Sequence, residues 1–122
     1  MQRIRTPFNA NSLAMAAAAA AVRDTAYLEM VREHTAKWQK LINKRATELG
    51  ILSPASVTNF YLLDFKNIAD KSGADAVDFL ESRGIIPRPA GSNSSSDFLR
   101  ITVGLDEENE AALNALAEYM AS

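Results

Sequence analysis

Two arginines stand where an arginine has chemistry to offer. Arg100 interrupts the apolar run FLRITVG at 98–104, and Arg88 closes the stretch GIIPR just before Pro89. A guanidinium stays charged at any physiological pH, and its planar fork of donors matches a carboxylate or phosphate through two parallel hydrogen bonds. Side chains alternate along a strand, so Leu99, Ile101 and Val103 share one face while Phe98, Arg100 and Thr102 share the other. Arg100 therefore projects from the face opposite the core, fixed by the strand beneath it, and is placed to grip an anion. The competing reading is an ion pair with a local acid, or solvation. Arg88 falls at the end of a short strand at 85–88, and strand ends are common ligand positions in α/β units. Its competing reading is a solvent-facing loop residue.

Other routes to chemistry close quickly. The 122-residue chain has no cysteine, which excludes disulfides, thiolate catalysis and cysteine-held metals and fits a cytoplasmic location. His34 is the single histidine, set among polar residues of a helix with no partner acid or base, so it reads as a surface residue and no metal site is expected. Lys37, Lys40 and Lys44 read as solvated helix-face residues, and Lys66 and Lys71 lie in a polar loop. The stretch GSNSSS at 91–96 lacks the lysine and the strand-loop-helix order of a phosphate loop, and reads as a flexible connection. A net charge of −2 offers no footprint for nucleic acid or an anionic membrane. The alanine-rich segment 13–22 follows a basic start but is too short to span a bilayer, and alanine is the best helix former.

The elements that must position the arginines follow from periodicity. Asn11 or Ser12 caps a first helix, and a second runs from about 24 to a stop at Gly50, with Leu28, Val31, Trp38, Ile42 and Leu49 as its apolar stripe. VTNFYLLDF at 57–65 reads as a strand, 74–83 as a helix facing the core through Ala74, Val77, Phe79 and Leu80, and 98–104 as the last strand. A final helix capped by Asp106 buries Leu113, Leu116 and Tyr119. The predicted class is α/β, a two-layer α+β arrangement. A small mixed sheet of split β-α-β-β-α topology, third strand in the middle, carries helices on one face and is preceded by long N-terminal helices. Residues 1–50 are read as connecting helices and 51–122 as a small domain.

The segments RIRTPFNANSLA at 3–14, TNFYLLDF at 58–65, GIIPRP at 84–89 and FLRITVGLDEENEAALNAL at 98–116 occur together and in this order. In this the chain resembles the C-terminal part of the histidinol-phosphate aminotransferases and their relatives, fold-type I enzymes that use pyridoxal phosphate. The resemblance covers essentially the whole chain. It implies that Arg100 grips the carboxylate of an amino or keto acid, that Arg88 helps to hold the substrate's phosphate, and that Asn59 lies near the active site. It also implies a homodimer whose substrates are small amino and keto acids.

The family's Schiff-base lysine, in a serine- and glycine-rich segment upstream of RTPFN, has no counterpart here, nor have its other cofactor-holding motifs. The chain thus corresponds to the small domain and connecting helices of a larger enzyme, whose missing N-terminal domain binds the cofactor. No catalytic residue and no bound cofactor are expected in this chain, and no activity is expected from it alone. Two further readings stay open. One is a relative with another substrate, such as an aromatic amino acid. The other is a free-standing, non-catalytic module for binding or oligomerisation.

Overall fold

A computed structural model describes residues 10–90 and 97–122. The lead-in at 6–9 and the serine-rich stretch at 91–96 lie outside the described residues. The chain divides into two compact units, residues 1–33 and 34–122.

The first unit carries α1 (Ser12–Ala21) and the opening of α2 (Thr25–Glu48). The Asn11 side chain accepts from the Ala14 N–H at 2.8 Å, and Asp24 accepts from the Tyr27 N–H at 3.0 Å. Each satisfies one of the donors that a helix start leaves bare. Leu28 and Val31, expected on the buried stripe, are 48% and 37% exposed. No helix among the described residues is long and apolar enough to cross a membrane.

The second unit holds the rest of α2, β1 (Phe60–Asp64), α3 (Gly73–Ser82), β2 (Arg88–Ala90), β3 (Phe98–Thr102) and α4 (Asp106–Ala121). The sheet order is β1-β3-β2, and β3 is antiparallel to both neighbours. β1 and β2 thus run parallel to each other, as the split topology requires, while every ladder in the sheet is antiparallel. Tyr61, Leu63, Leu99 and Ile101 form the buried face. Onto it pack Trp38, Ile42 and Ala46 of α2, Ala76 and Leu80 of α3, and Leu113, Leu116 and Tyr119 of α4. Each fully buried leucine of this layer contributes about 1.5–3 kcal/mol of transfer free energy. Ala76, not Ala74, is the alanine that α3 turns inward.

Gly50 and Gly84 end α2 and α3 at φ of 75° and 77°. The left-handed turn lets Ile51 and Ile85 donate back to Ala46 and Leu80, at 2.8 and 3.0 Å. Three boundaries differ from the sequence reading. β1 starts at Phe60 because residues 58–59 bend, and Val57 is fully exposed. β2 begins at Arg88 and includes Pro89, because it is an edge strand, where a missing N–H need cost no ladder bond. α4 is capped at Leu105, whose N–H donates to the Glu108 carboxylate at 2.8 Å, which frees Asp106 for other work.

The Tyr61 hydroxyl is buried without a hydrogen-bond partner among the described residues, and burial pushes its pKa well above that of a free phenol. An unpaired buried hydroxyl carries a desolvation penalty. Tyr61→Phe is therefore expected to leave the folding free energy unchanged or raise it by up to ~1 kcal/mol in urea denaturation. A loss of more than ~1 kcal/mol would mean that the hydroxyl is bonded to an internal water.

Candidate functional site

The face of the sheet opposite the core carries Phe60, Leu62 and Asp64 from β1, Phe98, Arg100 and Thr102 from β3, and Arg88 and Ala90 from β2. The register sets Leu62, Arg100 and Arg88 in one row across the three strands. Directly opposed residues on an antiparallel pair have Cβ atoms roughly 4.5–5.5 Å apart. Two permanent cations thus stand side by side, Arg100 half-buried and Arg88 exposed. Like charges so placed repel each other.

Neither arginine forms an ion pair with a carboxylate among the described residues. The described acids that do pair have other partners: Glu48 meets Arg45 and Lys44, Glu118 meets Arg83, Glu29 meets Arg32, and Asp106 meets Lys37 and His34. Asp64 is the one acid on the described strands, and its Oδ1 accepts from the Lys66 backbone N–H at 2.9 Å. What does meet Arg100 is an aromatic ring, with its guanidinium carbon 5.1 Å from the Phe60 ring centroid. The arrangement is a pair of guanidiniums held side by side on a sheet, with no ion pair to a described carboxylate.

Asn59 lies in the bend before β1, and its side chain is exposed. Its carbonyl accepts from the Val103 N–H at 2.8 Å, continuing the β1–β3 ladder. Gln39 of α2 clamps the backbone on either side, donating to the Thr58 and Phe60 carbonyls at 2.9 and 2.8 Å. The structure thus brings Arg88 and Arg100 together and sets Asn59 at the end of the adjacent strand.

The exit of β3 is tied down by residues that the sequence reading assigned elsewhere. His34 is a partly buried link and not a free surface residue. Its Nε2 donates to the Gly104 carbonyl at 2.8 Å, and its Nδ1 lies 3.8 Å from Asp106 Oδ1. Asn109, buried within α4, accepts from the Gly104 N–H and donates to the same carbonyl, both at 2.9 Å. A side chain at Gly104 would collide with Glu108. Asp106, expected to cap α4, instead accepts from the indole N–H of the buried Trp38 and pairs with Lys37 at 3.4 Å. No group of three or more metal-ligating side chains occurs among the described residues.

A model of the class I and II aminotransferase family matches residues 1–116, and the chain belongs to that family. It is 44% identical over 121 residues to histidinol-phosphate aminotransferase of Rhodopseudomonas palustris strain HaA2, a match covering 99% of this chain and 33% of that enzyme. It is 41% identical over 120 residues to the enzyme of the same name from Paramagnetospirillum magneticum, covering 98% of this chain and 33% of the relative. The crystal structure of histidinol-phosphate aminotransferase from Sinorhizobium meliloti in complex with pyridoxal 5'-phosphate superposes with a TM-score of 0.77 at 31% identity, over 98% of this chain and 33% of that one. The chain spans about a third of the length of the curated relatives it matches.

The family implies pyridoxal phosphate, but the lysines of this chain do not fit a site for it. A Schiff base to the cofactor needs a lysine amine free to reach its aldehyde. Lys71 donates to the Tyr119 and Ser122 carbonyls at the end of α4, Lys37 pairs with Asp106 and Lys44 with Glu48. Lys40 is exposed on α2, and Lys66 lies in the turn after β1. None stands on the strands that carry the arginines.

The bond from the Trp38 indole, then Lys37 and His34, hold the Asp106 carboxyl below the usual carboxylate range. A depressed folded pKa gives stability that is present above the unfolded value and lost as pH falls through the folded one. Asp106→Asn is expected to flatten the acid limb of the thermal midpoint below about pH 4. Identical acid limbs in the two proteins would contradict this.

Proposed function

We propose that this chain is the substrate-gripping portion of a cytoplasmic, pyridoxal-phosphate-dependent aminotransferase that exchanges an amino group between histidinol phosphate and 2-oxoglutarate in histidine biosynthesis. Residues 51–122 act as its small domain and residues 1–50 as connecting helices. The remaining polypeptide supplies the lysine and binds the cofactor, and the working enzyme is a homodimer. The observation that carries the reading is the row Leu62–Arg100–Arg88, two opposed guanidiniums on one rigid face with no described carboxylate on either.

Two cations kept together at an electrostatic cost make sense when an anion relieves it. In this reading Arg100 takes the carboxylate of glutamate and of 2-oxoglutarate by a two-point hydrogen bond, and Arg88 takes the phosphate of histidinol phosphate. Asn59, at the mouth of β1, lies beside them. The names of the relatives and the family match support the substrate assignment. Because the arginines sit on strands and not on loops, they contribute a fixed orientation, which lowers the entropy lost on binding.

The test is a chimera in which this chain replaces the matching third of the Rhodopseudomonas enzyme. It is expected to transaminate histidinol phosphate, whereas this chain alone turns nothing over. Arg100→Gln in the chimera is expected to lower kcat/KM by about a hundredfold or more, the scale of truncating one partner of a charge-assisted pair. Arg88→Gln is expected to raise KM for histidinol phosphate by about tenfold or more while sparing KM for glutamate. A chimera that prefers an aromatic amino acid would replace the substrate named here. Unchanged kinetics in both variants would remove the anion-binding role.

A further inference from the structure

Arg100 has to satisfy two opposed demands. A long side chain on an open sheet face samples many rotamers, and fixing it costs up to about 2 kcal/mol of entropy. The common way to fix an arginine is a carboxylate partner, but that would cancel the charge and fill the donor fork that an anionic ligand needs. Among the described residues, the contact that holds this guanidinium is a neutral one.

Phe60 pairs with Thr102 in the β1–β3 register, and Arg100 lies two residues along β3 on the same face. That diagonal is within reach of an aromatic and a long side chain. The guanidinium carbon lies over the Phe60 ring, 5.1 Å from its centroid, within the range of a cation–π contact. Phe60 is itself half-buried at the edge of the strand. Its backbone is clamped by Gln39, which donates to the Phe60 carbonyl at 2.8 Å, and Ser56 Oγ donates to the same carbonyl at 3.0 Å. The ring therefore stands on a fixed base.

We propose that Phe60 is a positioning residue for Arg100, a neutral tether that pre-orients the guanidinium for a carboxylate ligand without neutralising it. The inference rests on the carboxylate role proposed for Arg100. A ring removes rotamer freedom before the ligand arrives and leaves the cation's full charge for the ligand. A carboxylate in its place would have to be displaced at every binding event.

The experiment uses the whole 122-residue chain, isotope-labelled, with 2-oxoglutarate as the probe and the arginine side-chain signals read by NMR. Arg100→Gln assigns the Arg100 signals. In the unsubstituted chain the Arg100 δ-methylene protons are expected upfield of their random-coil position through the ring current, and the Nε–H signal is expected to move saturably with 2-oxoglutarate. Phe60→Leu, which keeps apolar bulk, is expected to abolish the upfield shift and weaken binding about three- to tenfold, the range of a partly exposed cation–π contact. Phe60→Tyr is expected to restore both. Random-coil δ-proton shifts in the unsubstituted chain overturn the tether with no variant needed. Equal affinity in Phe60→Leu, with binding lost in Arg100→Gln, overturns the tether and leaves the carboxylate role standing. Binding unaffected by Arg100→Gln, or no saturable shift at Arg100 in the unsubstituted chain, overturns the carboxylate role and the tether with it.

Discussion

The position of β3 between two antiparallel neighbours is the constraint from which the rest follows. Side chains on a strand alternate between faces, so a shift of one residue would send Arg100 into the layer of Leu63, Leu80 and Leu116 and bring Leu99 and Ile101 out. Burying an unpaired guanidinium there would cost far more than any single contact returns. The apolar face thus fixes the polar one. A core built from Tyr61, Leu63, Leu99 and Ile101 settles which face of the sheet both arginines occupy.

Charge is distributed to the same end. The described acids that form ion pairs meet their partners on helices and helix ends, and Asp64, the acid nearest in register to the arginine row, turns its oxygen to the Lys66 backbone. The helices are joined to the sheet by polar links that spare the open face. Gln39 holds the start of β1, while His34, Trp38 and Asn109 hold the turn that follows β3. Both anchor points lie at one end of the sheet, where Phe60 pairs with Thr102; Arg100 stands two residues inside that end, and its own described contact is the Phe60 ring.

Much of this was legible in the sequence because it depends on local periodicity. The two-residue alternation in FLRITVG and the three-to-four spacing in Leu113, Leu116 and Tyr119 assign faces directly, and chain connectivity gives the strand order. What was not legible depends on pairing between distant segments. That Arg88 lies opposite Arg100, and that Phe60 lies diagonal to it, follows from register, which no local pattern encodes. Asp106 stands at the start of an acidic helix and looked like its cap. The carboxylate went to Trp38 and Lys37, some 68–69 residues earlier, because Glu108 reaches back to serve the helix start. His34 looked idle for the same reason, since its partner carbonyl is 70 residues away. Pro89 read as a strand terminator, but on an edge strand the rule relaxes.

The central claim, that two uncancelled cations share one face in direct opposition, is tested most directly by a double-mutant cycle on stability. Arg88→Gln, Arg100→Gln and the double variant would be compared by denaturation at low ionic strength and again with inorganic phosphate. The account predicts a coupling of about 0.2–1 kcal/mol with the sign of repulsion, so that the second substitution gains less than the first, and its disappearance once phosphate is present. Strictly additive effects, unchanged by phosphate, would contradict it.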